Sequence, residues 1–180
     1  MVHPSLRGYL TFAPSSRYER LNRLAKRFPE LDKSAITTCI TMLRLAQDLT
    51  EGYDAHFARH GLSQGRFIIL IHLLDAEDSG RGGWTPAELA EHAGVSRATM
   101  TGLMDTLEKD GFISRENHPS DRRMYTVRLT PQGHDFLVAM LPDHYRRIAA
   151  LMAPLNEAER ETLQQLLAKV ASGIPALKNP

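Results

Sequence analysis

Apolar residues recur at helical spacing along most of the chain and alternate with polar ones over one short stretch. Leu21, Leu24, Ala25 and Phe28 follow Tyr18 on one face, so a short amphipathic helix is expected from a cap at Ser15 or Ser16 to a stop before Pro29. A long helix is expected from Asp32 or Ser34 to about Arg59, with Ile36, Ile40, Leu43, Leu49, Tyr53 and Phe57 inward. Ser63 then caps a helix over 64–75, whose run Phe67-Ile68-Ile69-Leu70-Ile71 is apolar on nearly all sides and must be buried. Residues 78–83 read as a loop, and Trp84 as a short strand.

Two short helices follow in tandem. Thr85-Pro86-Ala87-Glu88 is a capping box with proline at the first helical position, and Gly94 suits the helix end, so the first helix spans about 86–93. Ser96 caps the second, in which Met100, Leu103, Met104 and Leu107 form the inward stripe. Helices separated by so few residues cross steeply, as in a helix-turn-helix. After Gly111, Phe112–Glu116 and Met124–Leu129 read as strands, with Tyr125, Val127 and Leu129 on one face and Thr126 and Arg128 on the other. The turn-rich basic stretch 117–123 joins them. Thr130-Pro131 opens a long helix that Pro142 kinks or breaks, and Asn156 caps a last helix with the stripe Leu163, Leu166, Leu167, Val170. The fold class is therefore mainly α (α+β), a winged helix-turn-helix with flanking dimerisation helices.

The outward face of the second short helix carries Arg97, Ala98, Thr101, Gly102 and Asp105. These side chains are short and polar near the helix start, with one long arginine, a shape suited to a groove. Arg97 can reach guanine O6 and N7 or a phosphate, Thr99 and Thr101 can meet phosphate or a thymine methyl, and Ser96 sits at the positive helix end. Gly102 costs about 1 kcal/mol relative to alanine inside a helix. Close approach to DNA accounts for it, and so does a tight helix crossing.

Overall charge adds little to this picture: 22 basic against 21 acidic residues in 180 give +1. The segment 95–130 is itself only +1, with 6 basic and 5 acidic residues, so phosphate affinity depends on how Arg97, Arg115, Arg122, Arg123 and Arg128 cluster. Residues 1–30 carry 6 basic against 2 acidic residues, so this arm packs on a partner, lies along DNA or stays disordered. No apolar run is long enough to span a bilayer and the start lacks a secretion signal, so the protein is expected to be cytoplasmic with no membrane partner. With Cys39 alone, no disulfide forms within the chain and no cysteine-based zinc site exists.

Catalysis finds no support: there is no Ser-His-Asp spacing, nucleotide-binding glycine loop or nucleophile elbow. A non-enzyme without a cofactor is expected. His56-x-x-x-His60 puts two imidazoles on one helical face, as a zinc pair would need, but third and fourth ligands are not evident and a solvated helix end explains the pair equally well.

The runs Leu89-Ala90-Glu91-His92-Ala93-Gly94-Val95-Ser96, Leu107-Glu108-Lys109-Asp110-Gly111-Phe112-Ile113, Asp121-Arg122-Arg123 and Val127-Arg128-Leu129-Thr130-Pro131-Gln132-Gly133 resemble the MarR family of bacterial transcription regulators. The Asp-x-Arg wing followed by Leu-Thr-x-x-Gly is the specific part. The resemblance implies a recognition helix at 97–110, Arg123 entering the minor groove and Asp121 orienting it. Independently, a carboxylate two residues away can fix a guanidinium through charged hydrogen bonds. Ser96, Arg97, Ala98, Thr99, Thr101, Gly102, Arg115, Asp121, Arg122 and Arg123 are the expected DNA-binding residues.

The winged core, 63–130, is too small to cover the remaining apolar faces. The helix 32–62 and the carboxy-terminal helices 131–180 are therefore expected to bury one another across a two-fold axis, leaving 1–31 as an amino-terminal arm. Such a homodimer holds its reading helices about 34 Å apart on double-stranded DNA. The resemblance further implies an effector cleft for aromatic or phenolic acids, here walled by Cys39, Met42, Leu43, Ala46, Phe67, Ile71 and His72, which otherwise read as core. Cys39 and Tyr53 are similar in placement to residues of the family's peroxide-sensing branch. Leu43 stands where another tyrosine of that branch would be, and a buried cysteine acting as a small apolar residue is the simpler reading. Some family members sense metals, which keeps His56 and His60 in view. The expected function is a homodimeric repressor released from a palindromic operator by a small effector; the alternatives are a thiol-based peroxide sensor and a winged-helix module that binds protein instead of DNA.

Overall fold

The computed structural model describes residues 14–118 and 121–178, without the side chains of 14–18, 20, 117, 118 and 121–124. Its elements are α1 (Pro14–Arg27), α2 (Lys33–Ala58), α3 (Gln64–Asp78), α4 (Pro86–His92), α5 (Arg97–Lys109), β1 (Ile113–His118), β2 (Asp121–Leu129), α6 (Pro131–Met152) and α7 (Glu157–Ser172), closed by a 3₁₀ turn, Ile174–Leu177. The fold is mainly helical around one antiparallel hairpin, the class expected. The chain divides into two compact units, up to Ile68 and from Ile69.

In the first unit, α1 begins at Pro14, before the expected serine caps. Asp32 caps α2, accepting from the amides of Ser34 and Ala35, and Lys33 Nζ donates to Asn22 Oδ1 at 3.0 Å. Phe57 is buried, stacked on Phe67 with centroids 4.5 Å apart and on Tyr53 at 5.9 Å. Two expectations for α2 do not hold. Leu43 is 44% exposed instead of inward, and Cys39 is exposed instead of a buried apolar filler. The apolar stripe of α2 is wider than the chain itself covers, and periodicity marks a stripe without saying what lies on it.

The second unit holds the winged core. Ile69, Leu70, Leu73 and Ala76 of α3 are buried together with Leu89, Met100, Met104, Leu107, Ile113 and Val127. α3 runs three residues past the expected end at Asp75 because Ala76, within that polar tail, is itself buried. β1 and β2 pair from Ile113↔Leu129 to Asn117↔Tyr125, with an irregularity between Asn117 and His118. The expected third strand is reduced to one bridge, Trp84↔Val127. α6 continues through Pro142, so the proline does not break it.

Candidate nucleic-acid interface

Local side-chain chemistry sets the helix pair. The Thr85 hydroxyl accepts from the Glu88 amide, and the Glu88 carboxylate accepts from the Thr85 amide at 2.8 Å, the reciprocal arrangement expected. Gly94 and Gly111 take positive φ of 63° and 77°, ending α4 and α5 where predicted. Ser96 Oγ accepts from the Thr99 amide at 3.1 Å and lies 2.8 Å from the Thr99 hydroxyl. Met100, Met104 and Leu107 are fully buried and Leu103 half-buried, which turns Ser96, Arg97, Ala98, Thr99, Thr101, Gly102 and Asp105 outward.

Two details refine that surface. Thr101 Oγ1 donates to the Arg97 carbonyl at 3.0 Å, so its methyl and lone pairs, and not its proton, face out. A Cβ built on Gly102 meets nothing within 4 Å. No helix crossing within the described residues therefore requires that glycine. Among these residues nothing pairs with the Arg97 guanidinium either.

Arg115 behaves differently. Its Nη2 donates to Asp105 Oδ1, its Nε lies 3.3 Å from Glu108 Oε2, and its guanidinium sits 5.4 Å from the Tyr125 ring centre. Burial alone would lower its pKa, but the hydrogen bond to Asp105 and the charge of Glu108 leave it raised. Arg115, one of the expected DNA-binding residues, is thus held by α5 and β2 within the second unit. Arg128 likewise pairs with Glu116, Nε to Oε2 at 3.2 Å. The side chains of Asp121, Arg122 and Arg123 lie outside the described residues; their backbone forms the start of β2.

Two packing contacts hold this surface in place. Trp84 is buried and donates Nε1–H to the His72 carbonyl at 2.9 Å, while the Arg81 guanidinium lies 3.7 Å over its ring and pairs with Glu88. The Thr85 amide is the main influence holding the Glu88 carboxyl below its ordinary pKa, against the effect of burial and with help from the Thr85 hydroxyl and Arg81. Arg81 carries no sequence signal for this role, since its partners lie three and seven residues on in another element. At the other end, Thr130 Oγ1 donates to the Gly111 carbonyl at 2.6 Å, and a Cβ on Gly133 would sit 2.0 Å from the Phe112 carbonyl oxygen. Only glycine permits that approach, which seats the first turn of α6 against the α5–β1 turn.

The remaining predicted residues fall as follows. In the first unit Met42 is half-buried, Ala46 exposed and Phe67 buried; in the second, Ile71 and His72 are half-buried. A cavity of about 260 Å³ in the second unit is lined by other residues, among them Leu73, Glu77, Glu116 and Arg128. His56 is buried beside Phe57, with its ring 5.3 Å from that of His60, so a solvated helix end does not describe it. Among the described residues no helix is long and apolar enough to cross a membrane.

A sequence model of the MarR family matches residues 79–125. The HTH-type transcriptional repressor YetL of Bacillus subtilis is 30% identical over 91% of this chain and 96% of its own. Among solved structures, AbsC, a MarR family transcriptional regulator from Streptomyces coelicolor, superposes with a TM-score of 0.71 at 21% identity, over 81% of this chain and 97% of its own. MepR of Staphylococcus aureus, in its DNA complex, superposes at 0.65 with 18% identity, over 76% and 95%. With a helix pair capped as the motif requires, a paired wing and a full-length relative at this identity, the chain belongs to the MarR family of transcriptional regulators.

Proposed function

We propose that this regulator is a homodimeric repressor that reads a palindromic duplex with α5 and grips the flanking minor grooves with its wings. One observation carries the reading: Ser96, Arg97, Ala98, Thr99, Thr101 and Gly102 form an exposed face of mostly short side chains with one arginine, and space stands open over Gly102. Such a face fits the major groove, where Arg97 reads a base edge and Ser96 and Thr99 meet phosphate at the helix start. Arg123, oriented by Asp121, and Arg122 serve the minor groove, where the potential is most negative.

The dimer is supported by α7, none of whose described residues is buried although Leu163, Leu166, Leu167 and Val170 form a continuous apolar stripe. In this reading 32–62 and 131–180 build the dimer, 63–130 reads DNA and 1–31 is an accessory arm. A small aromatic acid releases the operator by binding one spacing of the two reading heads better than the other. The exposure of Cys39 favours one further reading, oxidation of its thiol as the signal.

The test is enrichment of duplexes from a random pool, followed by binding at several salt concentrations. Arg97→Ala should flatten sequence preference, at a cost of about 1–3 kcal/mol on the selected site, and Arg123→Ala should weaken all sequences alike. Unchanged binding in both variants would refute the assignment. Thermal shift against aromatic acids, and hydroperoxide treatment of wild type and Cys39→Ser, separate the two signals.

A further inference from the structure

Arg115 stands on β1, and its guanidinium is engaged by one hydrogen bond, one ion pair and one ring contact. One edge donates to Asp105, the Nε side lies against Glu108, and Tyr125 of β2 covers the ring-facing side. Asp105 and Glu108 are three residues apart on α5 and so share one helical face. Tyr125 lies opposite Asn117, one pleat along from Arg115 on the same face of the hairpin. The Arg115 side chain is 24% exposed, against 58% for Asp105 and 42% for Glu108. Side chains from two other elements, α5 and β2, thus converge on one planar cation, whose rigid fork suits two carboxylates in a way a lysine would not.

The charges of α5 make the consequence concrete. Arg97 and Lys109 balance Asp105 and Glu108 within the helix, so α5 has no net charge of its own. An arginine that swung out to a phosphate would leave both carboxylates bare on the helix that reads DNA. We infer that Arg115 is a positioning residue: it fixes α5 against the wing and neutralises Asp105 and Glu108, and it contacts no nucleotide itself. This rests on the proposal that α5 reads DNA, and it removes Arg115 from the set of direct contacts.

The test has a part that needs no DNA. In the full chain, thermal unfolding and hydrogen exchange of the hairpin amides are compared for Arg115→Gln, Asp105→Asn and the double variant. Each single change should speed exchange in β1 and β2, and the double should be no worse than Arg115→Gln; additive effects would overturn the clamp. The second part uses a duplex enriched by the wild-type protein. Arg115→Gln should bind it about five- to tenfold more weakly with the same slope of log affinity against log salt, because no phosphate contact is lost. A slope reduced by about one would mark Arg115 as a phosphate contact and overturn the inference. Arg115→Lys, which keeps the charge without the fork, should not restore binding, and full restoration would also count against it. If the wild type enriches no duplex, the DNA-reading proposal fails, and the unfolding cycle alone decides the clamp.

Discussion

The helix α5 leaves one face open to solvent whereas α7 is exposed nearly all round, and the open face of α5 differs in chemistry from the apolar face of α7. On α5 the open face carries Arg97, Ala98, Thr101 and Gly102, above a floor of fully buried methionines and leucine. On α7 the apolar face carries leucines and a valine, with Leu166 53% and Leu167 47% exposed, and none of the helix's described residues is buried. A polar face with space for a backbone to approach suits a hydrated, charged partner, whereas a contiguous apolar stripe requires a partner that is apolar too. Exposure alone does not identify a partner; the composition of what is exposed does.

The comparison breaks most visibly on α7. Replacing Leu166 and Leu167 together by aspartate should abolish self-association in sedimentation and reduce affinity for an enriched duplex on the order of a hundredfold or more, since two linked reading heads bind far better than one. Next in size is Met104→Ala, which removes the floor beneath the α5 face. It should destabilise the fold by about 2–5 kcal/mol in chemical denaturation, with loss of DNA binding only as the protein unfolds. Gly102→Ala should separate stability from function: the added methyl meets nothing in the chain, so unfolding should become harder by about 0.5–1 kcal/mol while DNA affinity falls. Equal or better DNA binding by this variant would show that the open space is not used.

The smallest effect concerns the support behind the face. The Glu88 carboxyl has its pKa depressed in the fold from an ordinary value of 4.5, chiefly by the Thr85 amide. Its contribution is therefore present above about pH 4.5 and is lost as pH falls through the lower folded value. Glu88→Gln should lower Tm at pH 7 by an amount worth less than about 1 kcal/mol, because the group is largely solvated, and the gap to wild type should narrow as pH falls below 4.5 through the lower folded value. A gap that does not change on acidification would show that the amide geometry matters and not the charge.

How far the chain announces these features follows from the range of the interactions. Caps at Thr85, Ser96, Thr130 and Asn156 act within three residues, and each is found where the sequence places it. The inward stripe of α5 is equally local. What escapes is non-local or depends on a partner. The carboxylate partners of Arg115 stand seven and ten residues away on another element, and no local pattern announces that pairing. Leu43 and Cys39 belong to an apolar stripe that periodicity reads as inward, although the chain leaves it uncovered. At Trp84 the sequence places a strand and a single bridge forms; what escapes is the non-local packing of Arg81 and the His72 carbonyl on its indole.

The most direct test places one photo-crosslinking residue at Ala98 and, in a separate protein, one at Leu167, each illuminated in the presence of an enriched duplex. The account predicts that the probe at position 98 captures DNA and that the probe at 167 captures a second copy of the chain. Capture of protein from position 98, or of DNA from position 167, would contradict it.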